Sequence, residues 1–73
     1  MKRPIHETVA RGVKIACVKR ETTVEAAATE SGVSKSSIYR YMKGETDMFV
    51  STLGKFCEKG LGMRLDQVMS LGK

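Results

Sequence analysis

The chain has 73 residues, with 13 Lys and Arg against 8 Asp and Glu, so its formal charge is +5 at pH 7. That length makes one domain burying only about 60% of its unfolded surface, which leaves little material for an enclosed catalytic cleft and makes a partner subunit useful. The charge suits a polyanion without being extreme, and no apolar run approaches the roughly 20 residues needed to cross a membrane.

The first predicted helix runs from Pro4 to Lys19. Proline fits a first helical position, where its missing N–H costs nothing, and Ile5, Val9, Gly12, Val13 and Ala16 form one stripe at helical spacing. Glu7, Arg11, Lys14 and Val18 lie opposite, so one face is buried and one solvated. His6, the single histidine, is expected to be solvated at the frayed end. Because an amphipathic segment follows Met1-Lys2-Arg3-Pro4, no signal peptide is expected. Cys17 and Cys57 have no second pair and no histidine cluster, which argues against a zinc site or a disulfide framework. They read as buried thiols in a reducing cytoplasm.

A short connection, Arg20-Glu21-Thr22, leads to a second helix over 23–31. Thr22 as N-cap and Glu25 as the third helical residue would make a capping box. Ala27 and Ala28 permit close approach of another helix, and Ser31-Gly32 end the segment at the residue type that turns the chain without strain. Val33 then faces inward and is placed to staple onto Ile38, while Ser34 is a good N-cap for a third helix over 35–43, closed by Gly44. Ile38 and Tyr41 turn inward. Lys35, Ser36, Tyr39, Arg40 and Lys43 are left outside, a set that is basic, hydroxyl-rich and free of acid. Most helix exteriors are charged, so a solvated face is the bland reading. The cap, the glycine turn and the one-signed face together favour a helix-turn-helix, over about 23–43, that contacts DNA.

After Glu45-Thr46, Asp47 is a plausible N-cap for a fourth helix with Phe49, Val50, Leu53, Phe56 and Cys57 on its core side. Gly54 inside it would mark a close helix contact, since an exposed helical glycine costs about 1 kcal/mol relative to alanine. Gly60 ends this helix, Leu61-Gly62 turn, and a fifth helix over 63–69 carries Leu65, Val68 and Met69. Low-complexity segments and internal repeats are absent. The sequence has no paired acid and base, no metal-ligand spacing and no phosphate-cradling glycine loop, so neither an enzyme nor a cofactor, metal or small-molecule ligand is expected.

The helix order, with Ala27-Ala28, Gly32-Val33-Ser34, Ile38, Gly44 and Thr52-Leu53, resembles the Xre or Cro/C1-type family of phage and bacterial repressors over about residues 13–68. The resemblance implies an all-α, lambda-repressor-like bundle of about five short helices, its third helix in the major groove, acting as a homodimer on a palindromic operator. Carried onto this chain, the base-contacting positions are Lys35, Ser36, Tyr39 and Arg40, with Ser34 and Lys43 placed for phosphates. Three positions depart from the family: Val24 replaces a glutamine at the start of helix 2, Met42 replaces a frequent glutamate, and Gly60 and Gly62 interrupt a leucine-rich close to helix 4. Cys17 would face Met42, an apolar contact in place of a charged pair. Locally, Thr22-Thr23-Val24 and 32–41 are also similar to the TetR-type helix-turn-helix, but the chain has no residues for that family's ligand-binding domain, and Glu45 stands where its usual lysine falls. Leu65, Val68 and Met69 are the expected dimer seam. The competing class is a protein-binding module on the same fold, an antitoxin or anti-repressor, which an exposed patch among Leu61, Met63, Leu65, Val68, Met69 and Leu71 would favour.

Overall fold

In the computed structural model, which describes residues 4–73, the chain is all helical: α1 (Pro4–Lys19), α2 (Val24–Ser31), α3 (Lys35–Met42), α4 (Val50–Lys55) continued by a π-helical segment (Phe56–Leu61), and α5 (Leu65–Leu71). The reading of Met1-Lys2-Arg3 falls outside the described residues. No strand occurs among those described.

α1 is the longest helix, and the others assemble on its buried face. Val9, Gly12, Val13 and Ala16 lie on that face as expected, but its first turn is turned differently. His6 points inward at 2% exposure, while Ile5 is 37% exposed. The solvated histidine of the sequence reading is therefore corrected: its Nε2 lies 3.1 Å from the Thr46 carbonyl oxygen and 3.1 Å from Asp47 Oδ1. Both neighbours are acceptors, which assigns a hydrogen to Nε2. The ring also packs against Tyr41, with centroids 4.5 Å apart. A buried imidazole is tolerable because its polar atom is satisfied, and this contact pins the chain leaving α3 to the start of α1. Asp47 is thus drawn to His6 rather than serving as the N-cap of α4, a place taken by Phe49 with no side-chain cap bond.

Two residues past the end of α1, Glu21 has a φ of 52°, which puts a non-glycine residue in the left-handed region. The reward is a closed end: Thr22 N–H donates to the Cys17 carbonyl at 2.9 Å and Glu21 N–H to that of Val18 at 3.2 Å. The N-cap of α2 is Thr23, one residue later than expected, and its Oγ1 accepts from Ala26 N–H at 3.1 Å. Thr22 and Glu25 therefore do not form a capping box.

The wide π turns at Phe56–Leu61 answer a packing problem. Phe56, Cys57 and Leu61 are all at most 1% exposed, and a turn that bonds residues five apart returns Leu61 to the face already occupied by Phe56. The fourth helix accordingly runs past Gly60, which had been expected to end it, and closes at Gly62 with φ 68°. Gly60 earns its place differently: a Cβ there would sit 2.5 Å from the Ala27 carbonyl oxygen, at the crossing of α2 with the π segment.

Gly54 is not the close contact that its position inside a helix implied. A Cβ there meets nothing within 4 Å. Gly54→Ala is therefore expected to raise stability by about 0.5–1 kcal/mol, read as an increase in the midpoint of urea unfolding.

Candidate nucleic-acid interface

α2 and α3 are joined by Gly32-Val33-Ser34, and the joint is fully bonded. Gly32, at φ 76°, lets its own N–H reach the Thr29 carbonyl at 3.3 Å and the Val33 N–H reach that of Ala28 at 3.1 Å. The buried Ser31 hydroxyl donates to the Ala28 carbonyl at 3.0 Å, so the turn leaves no orphaned polar atom there. Gly44 repeats the device at the far end of α3: at φ 80° its N–H donates to the Tyr41 carbonyl and that of Glu45 to the Arg40 carbonyl, both at 2.9 Å. Ala27 and Ala28, at most 1% exposed, let the helices approach closely.

This frame fixes the orientation of α3. Ile38 and Tyr41 are 2% exposed beneath it, with Met42 at 9%. Lys35, Ser36, Tyr39, Arg40 and Lys43 all face outward, as does Ser34 at the turn. All six residues read from the sequence as base or phosphate contacts therefore lie on the exposed side of the helix-turn-helix. Among the described residues no carboxylate lies within ion-pair distance of Lys35, Arg40 or Lys43. Ser34 occupies the N-cap position but makes no side-chain cap bond, contrary to the expected cap. Ser34 is exposed, and the first N–H groups of α3 have no side-chain cap, at the helix end whose dipole favours an anion. Lys35, in the first turn, is a cation at the end where the dipole disfavours one.

One residue of the outward set is held differently from the rest. The Tyr39 hydroxyl donates to Glu25 Oε1 at 2.7 Å, linking the middle of α3 to the first turn of α2. This bond and the nearby Lys35 hold the Glu25 carboxyl below its ordinary range, while the same bond raises the Tyr39 phenol above its own. The face thought to be free of acid has one, contributed by the neighbouring helix. The sequence carries the signal only once α2 and α3 are set side by side, because the two residues are fourteen apart.

A cleft of about 460 Å³ opens beside this face, lined by the turn at Gly32-Val33-Ser34, by Ser37 and Arg40 of α3, by the loop at Thr46-Asp47-Met48-Phe49, and by Thr52 and Lys55 of α4. Lys55 was not singled out from the sequence. It returns from α4 to the turn, so the basic surface extends beyond α3. Phe49 and Val50, expected in the core, are 82% and 71% exposed at the start of α4, because Asp47 is held at His6 and the chain enters α4 from outside. Leu53, Phe56 and Cys57 do form the core face. Phe49→Ser is expected to leave the thermal midpoint close to that of the parent, within about 0.5 kcal/mol, since it removes no buried contact.

The expected dimer seam is altered. Val68 is 0% exposed, buried where α5 packs on α1, so it cannot reach a second subunit. Leu65 and Met69 are half-buried against the core, as are Met63 and Leu71, and Leu61 is fully buried. The exposed methionine and leucine patch that would favour a protein-binding module is therefore not formed by this run. The fifth helix itself starts at Leu65 rather than Met63, with the Arg64 N–H bonded to Gln67 Oε1 at 3.0 Å.

Cys17 and Met42 are both buried in the same cluster. Burial pushes the Cys17 thiol up and the Cys57 thiol up to about 11, which disfavours the thiolate at both. Among the described residues no cluster of metal-ligating side chains occurs, and no helix is long and apolar enough to cross a membrane. Comparison with protein-family models, with curated proteins and with solved structures finds no match to this chain.

Proposed function

We propose that the chain is a sequence-specific double-stranded DNA-binding regulator, a repressor of phage or bacterial type acting in the cytoplasm, with α3 in the major groove and a homodimer on a palindromic operator. The carrying observation is that a helix anchored by Ile38 and Tyr41 presents Lys35, Ser36, Arg40 and Lys43 to solvent, with no ion-pair partner among the described residues for its three cations. Cations without protein partners are available to phosphates and to guanine edges. The uncapped start of α3 at Ser34 adds N–H donors suited to a phosphate oxygen. Lys55, which lines the same cleft as Arg40, extends the same positive surface.

A helix of eight residues reads few base pairs, so a two-fold pair that reads two half-sites is the natural assembly. Its seam lies outside Val68. Exposed apolar side chains are found instead at Phe49 and Val50 and at Ile15 and Val18.

A salt series tests the electrostatic part. Lys43, at the end of α3, is expected to meet the sugar-phosphate backbone. Lys43→Ala should weaken specific and random duplexes about equally and flatten the plot of log affinity against log salt by about one unit. An unchanged slope would remove Lys43 from the phosphate contacts.

A further inference from the structure

Within the basic face, one hydrogen bond decides what kind of base edge the middle of α3 can read. The Tyr39 hydroxyl has a single hydrogen, and it is donated to Glu25 Oε1 at 2.7 Å. What the phenol oxygen has left for DNA is its lone pairs. Glu25, exposed beside it and ionised, is likewise an acceptor. Lys35 and Arg40, on either side of Tyr39 along α3, are donors only. The face is thus divided by hydrogen-bond polarity, with one acceptor patch set among donors.

We propose that the Tyr39–Glu25 pair is a specificity determinant that selects, in each half-site, a base whose major-groove edge donates a hydrogen, the exocyclic amino group of cytosine or adenine. The inference rests on the DNA-binding reading given above. In the major groove the donors are cytosine N4 and adenine N6, whereas guanine N7 and O6 and thymine O4 only accept. An acceptor patch pressed against guanine or thymine at that position leaves lone pairs facing lone pairs, with water excluded, and such a mismatch is unfavourable. Glu25 also fixes the ring of Tyr39, which is 36% exposed and would otherwise rotate, so the acceptor is positioned before DNA arrives. Neither residue carries the core, and both can be changed without loss of fold.

The polarity argument separates three variants. Tyr39→Phe keeps the ring and removes the phenol acceptor. Glu25→Ala leaves the phenol but frees its hydrogen, so the same oxygen can donate to guanine or thymine. Glu25→Gln keeps a side chain that can still accept the phenol hydrogen through its carbonyl, and it preserves the preference better than alanine does.

The experiment uses the full chain and a duplex enriched from a randomised pool. Each adenine or cytosine of that duplex is replaced in turn by purine or 2-pyrimidinone, which delete the exocyclic amino group, and affinities are measured for the parent and for Tyr39→Phe. At one position per half-site the deletion is expected to weaken the parent by about five- to tenfold and Tyr39→Phe by less than about twofold, with Glu25→Ala in between. Because both proteins meet the same altered duplex, any general loosening of the base pair cancels. If every amino deletion penalises Tyr39→Phe as much as the parent, the proposal is overturned while the DNA-binding reading stands. If the pool yields no enriched duplex at all, both fall.

Discussion

Gly12→Ala is expected to destabilise the protein by about 3 kcal/mol, the top of the range for forcing atoms into a packed interior. A Cβ on Gly12 would overlap the backbone carbonyl oxygen of Val68 and crowd Val68 Cγ1 at 3.0 Å. The obstacle is helix backbone, so no side chain can swing aside. Relief requires α5 to lift from α1, which would expose Val68, now fully buried, and pull at the bond from Arg11 Nε to the Gly72 carbonyl, 2.9 Å long. Alanine's better helix propensity recovers only about 1 kcal/mol, so the clash sets the sign. Urea unfolding of Gly12→Ala beside Gly54→Ala gives a direct contrast, the same chemical change at two helical glycines with opposite expected signs. A Gly12→Ala protein as stable as the parent would show that the crossing of α1 and α5 is looser than described.

Arg40→Ala is expected to weaken binding to the selected site by about 1–3 kcal/mol and to blunt its preference over random DNA. Arg40 is exposed on α3, has no ion-pair partner among the described residues, and carries a guanidinium able to donate two parallel bonds to guanine O6 and N7. Lys35→Ala, also exposed on α3 in its first turn, is expected to act in the same way. Both are expected to differ from Lys43→Ala, whose effect is expected to fall on all sequences alike. The measurement is affinity for specific and random duplexes at several salt concentrations. An Arg40→Ala variant that binds the specific site as tightly and as selectively as the parent would move the protein-binding alternative to the front, and with it the exposed Phe49 and Val50.

How far this architecture can be read from residues alone depends on the range of the interaction involved. The five helices and the inward turn of Ile38 and Tyr41 follow from apolar spacing and from Gly32 and Gly44, which are local signals. α1 begins and ends where Pro4 and Lys19 place it. Failures cluster where a distant partner overrides a local preference. Asp47 is a good N-cap by type, but His6, forty-one residues away in sequence, claims its carboxylate, and Phe49 and Val50 are turned outward as a result. Gly54 and Gly60 look alike in the sequence, yet only Gly60 abuts another backbone. The π turns that seat Leu61 answer the shape of the whole core and have no local signature. On the candidate interface, the outward residues of α3 follow from helical spacing, whereas Glu25 joins them through the pairing of two helices. Lys55 comes from a third helix and needed the fold to be seen.

Enrichment of duplexes from a fully randomised pool by the parent chain, with Arg40→Ala carried in parallel, tests the central claim most directly. A two-fold regulator predicts that the parent enriches an inverted repeat with half-sites about one helical turn apart, and that Arg40→Ala enriches it poorly or not at all. Recovery of unselected sequences by the parent, at an affinity equal to that for random DNA, would contradict sequence-specific binding.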